Sequence, residues 1–311
     1  MPNWHEILKE IGQVGGPHDV VRREYLRKLS EKTGRNTVAY YSGWLQKNVP
    51  GIEINDSDKT GFMTVINGLD REKGLDLILH TPGGITAATE SLVDYLNSMF
   101  GNNIRAIVPQ LAMSGGTMIA CSCKSILMGK QSNLGPIDPQ LGEIPAHGIV
   151  EEFERAYNEI NSSQLKALSH PNDPVAVAEA NAKIAVWQPI IAKYSPALIG
   201  ECEKNIDWSE TMVKEWLERN MLSNLAHDEM EKVKAAIMKE LADHTVSKSH
   251  GRHIPMQRCI EIGLAIEKME DDQELQDLIL SVHHSFIHTL SGTPAKKIIE
   301  NQNGIAYIQM A

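Results

Sequence analysis

The chain has 311 residues, a hydrophobic share of 42% and a formal net charge of −10 at pH 7. That length suits one large domain, or a domain with a substantial appendage. The acidic balance argues against nonspecific binding to nucleic acid or to an anionic membrane face. The four cysteines, Cys121, Cys123, Cys202 and Cys259, make no secretory disulfide framework and are read as buried small hydrophobes in a reducing compartment.

Taken in order, Met1 to Val14 carries charges and no long apolar core, unlike a signal peptide. Residues 1 to 34 read as a helical preface, with Val20, Val21, Tyr25 and Leu29 on one side and packed on the core. Val38 to Ser42 is expected as a strand. Asn55-Asp56-Ser57-Asp58 then reads as the cap of a helix near Gly61 to Leu69. The spacing is superficially that of a calcium loop, but the central glycine and terminal glutamate are missing.

Leu75 to Leu79 is a short apolar run with one charged interruption, Asp76, as expected of a buried parallel strand. It ends in His80-Thr81-Pro82-Gly83-Gly84, and Leu92, Val93, Leu96 and Phe100 then mark one face of a helix from about Thr86 to Phe100. A Pro-Gly-Gly at a strand end exposes unshielded backbone N–H groups, which an oxyanion hole requires. A second strand, Ile104 to Val108, leads into Leu111-Ala112-Met113-Ser114-Gly115-Gly116-Thr117 and a small-residue helix. A serine at such a turn is presented as a nucleophile, with the helix N-terminus behind it. Ser125 to Gly129 is a third strand, and Ser132 to Gln140 a loop stiffened by Pro136 and Pro139.

The second half reads as mostly helical. Helices are expected over Glu143 to Ile160, Val175 to Tyr194, Ser209 to Asn220, around Met230 to Leu241, and over Asp271 to Leu290. The tail Ile305 to Met310 is left open between an added strand and a loose end. No run of about 18 uncharged apolar residues occurs, so no membrane insertion is expected, and a cytoplasmic protein is.

The three strings Leu-Ile-Leu-His-Thr-Pro-Gly-Gly, Ala-Met-Ser-Gly-Gly-Thr and Ser-Asn-Leu-Gly-Pro-Ile-Asp-Pro-Gln, in this order, resemble the serine dehydrogenase proteinase family of the Clp-protease and signal-peptide-peptidase superfamily. The resemblance is strongest over about Arg35 to Leu141. It implies an α/β fold, a Clp/crotonase-like spiral of ββα units with a mostly helical C-terminal elaboration. It divides the chain into a helical segment (1–34), a catalytic core (35–200) and a helical extension (201–311). It implies a serine peptidase with Ser114 as nucleophile, the amides of Gly115 and of Gly83 or Gly84 as oxyanion hole, and a homo-oligomer acting on peptide or protein substrates. No cofactor is expected, and no Walker-type string supplies an ATPase.

The general base stays open. Clp proteases place a histidine soon after the strand following the serine; Leu134 to Pro139 holds none. The lysine spacing of signal peptide peptidases falls near Lys166, with Lys193 a weaker choice, and a buried lysine can act as base. The polar loop Ser247 to Pro255 resembles a late Ser-His loop of the family and offers His250. Asp138 is a candidate orienter. His80 is expected to hydrogen-bond the glycine loop. His283, His284 and His288 include an i,i+4 pair that could bind zinc, but a solvated helix face is the expected reading. Two other functions fit less of the pattern: a catalytically silent peptide-binding scaffold, and a crotonase-type acyl-CoA enzyme, which lacks its paired glutamates here.

Overall fold

The structure, a computed structural model, describes residues 18–142, 144–243 and 249–311. Met1 to Val14, and Ser247 and Lys248 of the late polar loop, lie outside them. The chain folds as two compact units: one is the residues up to Ile137 together with Met212–Ala311, the other is Asp138–Thr211.

The first unit begins with α1 (His18–Thr33), β1 (Asn36–Ser42), α2 (Asp56–Ile66), β2 (Leu75–His80), α3 (Thr86–Phe100) and β3 (Ile104–Val108). Next come β4 (Leu111–Ala112), α4 (Gly115–Cys121), β5 (Ser125–Met128) and β6 (Asn133–Leu134). The second unit holds the hairpin β7 (Gln140–Leu141) and β8 (Ile144–Pro145), then α5 (Ala146–Ser169), α6 (Pro174–Ile191) and most of α7 (Leu198–Trp216). The first unit resumes with α8 (His227–Leu241), β9 (Ile254–Pro255), α9 (Met256–Glu261), β10 (Ile266–Lys268), α10 (Gln273–Gly292), β11 (Ala295–Asn301) and β12 (Ala306–Met310).

Among the described residues, seven strands form the main sheet in the order β10-β5-β3-β2-β1-β11-β12. The run from β10 to β1 is parallel, and β11 and β12 close the far edge as an antiparallel hairpin. Side chains alternate across it as the pleat requires. Leu75, Leu77 and Leu79 of β2 join the cluster of Leu92, Val93 and Leu96 from α3, whereas Ile78 joins Leu29 of α1 and Phe286 and Leu290 of α10. A parallel sheet with helices on both faces is the layered α/β arrangement the apolar runs require.

Most expected elements are present. Asn55 caps α2 in a reciprocal capping box with Asp58, as its polar run suggests. The tail forms β12, and β11 is a strand the sequence reading did not include. Asp76, the charged interruption in β2, is fully buried. Its carboxylate accepts from Arg35 Nε at 2.7 Å and from Arg105 Nη2 at 2.7 Å, with Arg105 directly opposite on β3. All four cysteines are free and buried, and burial pushes the Cys123 thiol up to about 12. Among the described residues no helix is long and apolar enough to cross a membrane.

Replacing Asp76 takes the shared buried carboxylate away from two guanidinium groups near the start of the central strands β2 and β3. Asp76→Ala is expected to lower unfolding stability by about 3 kcal/mol, read from the urea midpoint. A change within measurement error would remove the ion triad from the account of this part of the sheet.

Candidate active site

Two chain crossings build the site. The segment after β2 runs beside β4: Thr81 N–H donates to Leu111 O at 3.3 Å, and Met113 N–H to Thr81 O at 3.0 Å. Ser114 follows at once. It occupies the N-cap of α4 with φ 50° and ψ −116°, a region that L-residues rarely adopt, and its side chain is partly exposed. The sharp turn is held from behind. Thr117 Oγ1 lies 2.8 and 2.9 Å from Ala112 O and Gly135 O, between which its one proton is shared, and accepts from Gly135 N–H at 3.0 Å.

The Gly83-Gly84 loop lies against this turn at distances only glycine tolerates. Gly83 has φ +92°, and a Cβ there would stand 2.6 Å from Ser114 Cβ and 2.8 Å from the Gly115 nitrogen. A Cβ on Gly84 would stand 2.3 Å from the Ile54 nitrogen. Ile54 clamps the loop, donating its N–H to Gly83 O at 2.8 Å and accepting from Ile85 N–H at 2.9 Å.

The fate of the amides separates the two glycines. Gly83 N–H is taken by Thr81 Oγ1 at 3.2 Å. Among the described residues, the amides of Gly84 and Gly115 donate to no group of the chain. The Gly84 nitrogen lies 3.4 Å from where a Gly115 Cβ would be, so two open donors flank Ser114.

Residues 18–170 match the family of ClpP-like SDH-type serine proteinases. The chain is also similar to two uncharacterized proteins of Methanocaldococcus jannaschii. One is 35% identical over 140 residues, 44% of this chain and 49% of that protein. The other is 35% identical over 114 residues, 37% of this chain and 38% of its own length. The chain thus spans about half, or less, of the curated relatives it matches. The family match includes Gly83, Gly84, Ser114, Gly115, Asp138 and Lys166, and ends well before His250.

The candidate bases occupy different surroundings. Lys166, on α5 of the second unit, is exposed and pairs with Glu179 of α6 at 3.1 Å. Lys193, just after α6, is exposed as well. Asp138 is buried and accepts from Gln140 Nε2 at 3.0 Å. His250 belongs to the first unit and is half-buried. Its loop enters β9, which pairs antiparallel with β6, while β6 pairs parallel with β4. Ala112, Leu134 and Ile254 stand in register. The chain leaving β4 toward Ser114 and the chain entering β9 from His250 therefore share one end of this three-stranded sheet. Arg252 ties the loop down, through an ion pair to the buried Glu240 of α8 at 3.2 Å.

Two histidine expectations are corrected. Among the described residues, His80 hydrogen-bonds no loop group and neither ring nitrogen has a partner; the ring is buried among Tyr41, Trp44 and His283. It extends β2, and its neighbours Tyr41 and His283 stand on the α10 side of the sheet, where the alternation of β2 also directs it. His283 and His288 do not form a solvated face: they are 7% and 5% exposed, and His283 Nδ1 meets the Tyr41 hydroxyl at 3.2 Å. Among the described residues no cluster of three or more His, Cys, Asp or Glu side chains is arranged to hold a metal ion. The residues missed from sequence are Thr81, which fixes Gly83, and Ile54, which clamps the loop. Thr81 lies inside a recognised string, and its hydroxyl was the available cue; a lone isoleucine in a polar loop offers none.

Two outcomes are expected here. Ser114→Ala retains the Cβ in a left-handed turn and Ser114→Gly does not, so the glycine variant is the more stable by about 1 kcal/mol; equal thermal midpoints would remove strain from the description. Burial pushes the His80 imidazole down to about 3. In the unfolded chain it takes up a proton below about 6.5. Its depressed pKa therefore contributes stability that is present above about pH 6.5 and lost as pH falls toward 3. The fall in the urea midpoint over that window should be shallower in His80→Phe than in wild type.

Proposed function

We propose that the protein is a serine peptidase in which Ser114 attacks the scissile carbonyl of a peptide or unfolded segment and the amides of Gly84 and Gly115 receive the oxyanion. The observation that carries this reading is the pair of open amides beside a serine held at the N-terminus of α4. Donors fixed before the reaction stabilise charge at the carbonyl oxygen without having to reorganise as it develops. The helix N-terminus adds positive potential at the same point.

His250 serves as the base in this scheme, taking the Ser114 proton and returning it to the leaving amine. The sheet register supports His250 over Lys166, since its loop enters the site's own small sheet. The ion pair with Glu179 and the exposure of Lys166 are the opposite of the dry surroundings that make a lysine a base. Water then resolves the acyl-enzyme, and copies of the chain associate into a homo-oligomer.

The test is the rate of labelling by a fluorophosphonate probe. Ser114→Ala should abolish it and His250→Ala should slow it by about 100-fold. Slow labelling in Lys166→Ala with a normal rate in His250→Ala would transfer the base to Lys166. A folded wild-type protein that takes up no probe would overturn the peptidase reading in favour of a peptide-binding scaffold.

A further inference from the structure

A buried ion pair stands behind the strap that clamps the glycine loop. Lys297, in the middle of β11, and Asp58, in the first turn of α2, are each 1% exposed. Lys297 Nζ donates to both Asp58 oxygens, at 2.7 and 2.9 Å, and to Glu53 O at 2.8 Å. Asp58 Oδ2 also accepts from the Tyr40 hydroxyl at 2.8 Å and from the Asn55 N–H at 3.0 Å. The pair therefore grips the chain on both sides of Ile54, by the carbonyl before it and by the amide after it.

Each gripped peptide unit holds the glycine loop with its other end. The unit joining Glu53 to Ile54 takes Lys297 on its carbonyl and gives its N–H to Gly83 O at 2.8 Å. The unit joining Ile54 to Asn55 gives its N–H to Asp58 and accepts from Ile85 N–H at 2.9 Å. Gly83 O belongs to the same planar, trans unit as the Gly84 N–H, so the two point in opposite directions. Fixing Gly83 O from behind thus fixes the direction of the Gly84 N–H in front. One series runs forward from the ammonium group: Glu53 carbonyl, Ile54 N–H, Gly83 carbonyl, Gly84 N–H. Each unit turns the positive end of its dipole toward the open amide, and bonds aligned head to tail in a dry interior polarise one another. Asp58 balances the charge of Lys297, so the series aims the amide more than it charges it.

We infer that Lys297 and Asp58 are positioning residues for the oxyanion hole, which act through the two peptide units around Ile54 to fix the plane of the Gly83-Gly84 unit and aim the Gly84 amide. The inference rests on the reading of Ser114 as nucleophile. Neither residue touches a reacting atom. With glycine on both sides, the unit has no side chain of its own to hold it, and its support must come from outside. Without the ion pair the strap loosens, and the Gly84 amide swings out of line with the Gly115 amide. Misaimed donors slow the chemical step and leave binding alone.

The experiment uses the triple substitution Tyr40→Phe, Asp58→Leu and Lys297→Met in the full-length protein. It exchanges the buried polar group for apolar side chains of similar size, a change that folded proteins commonly tolerate, whereas removing one member of the pair endangers folding. Fluorophosphonate labelling at several probe concentrations separates the maximal rate from the half-saturating concentration. The expected result is an about tenfold lower maximal rate at unchanged half-saturation. A wild-type maximal rate in the folded variant would overturn the inference and leave the nucleophile reading intact. Wild-type protein that takes no probe would sink the nucleophile reading instead. Residue-resolved amide hydrogen exchange in the wild-type protein then decides the strap by itself, and it does so as well where the variant fails to fold. Amides held from β11 open no more readily than β11 does. Exchange at Ile54, Asn55 and Ile85 as slow as in β11 supports the inference. Exchange there well ahead of the β11 amides overturns it, since the strap would then open without Lys297.

Discussion

The structure turns on the close approach of two backbones. The chain after β2 and the chain after β4 run side by side, bonded through Thr81, Leu111 and Met113, and the turns that follow are packed without room for a Cβ between them. Contact at that range is possible only where one partner has no side chain, which is why Gly83 faces Ser114. The same approach fixes the geometry on which the proposed chemistry rests. It sets two backbone donors beside a hydroxyl using rigid main chain rather than rotatable side chains, so little entropy is lost when a carbonyl oxygen arrives. The helices on both faces of the sheet and the ion triad around Asp76 hold the strands whose ends meet at this point.

Much of this could be read in the sequence because it is local. The apolar runs of β2, β3 and β5, the helical face of α3, the Asn55 cap and the Ser-Gly-Gly turn each sit within a few residues and leave a periodic or compositional trace. The glycine pair was legible as a source of amides. Which glycine supplies the open one was not, because that depends on a side chain two residues back choosing Gly83. The histidines mislead for a related reason. His284 and His288 follow one another four residues apart, as a polar helix face would, but α10 lies against the sheet: His288 is buried, and the adjacent His283 meets the hydroxyl of Tyr41, far away in sequence.

The long-range pairings were the least legible. Lys297 lies in a stretch whose two adjacent lysines suggest a solvated strand edge, and its partner is 239 residues away. No window of sequence contains both charges. The base proposed above is illegible in the same way. His250 is brought to the serine's end of the small sheet by two-residue strands too short to show any alternation.

The separation of Lys297 from Asp58 also has a consequence during synthesis. Closing a loop of that size carries a chain-entropy cost that must be met before the pair can form. While β11 is still inside the ribosome, β1 lacks its antiparallel neighbour, Asp58 lacks its cation, and the glycine loop lacks one of its anchors. A nascent chain therefore carries its serine for most of its translation without the full support of the Gly83-Gly84 turn. On the proposed reading of Ser114, the order of residues along the chain by itself delays full reactivity until the sheet closes.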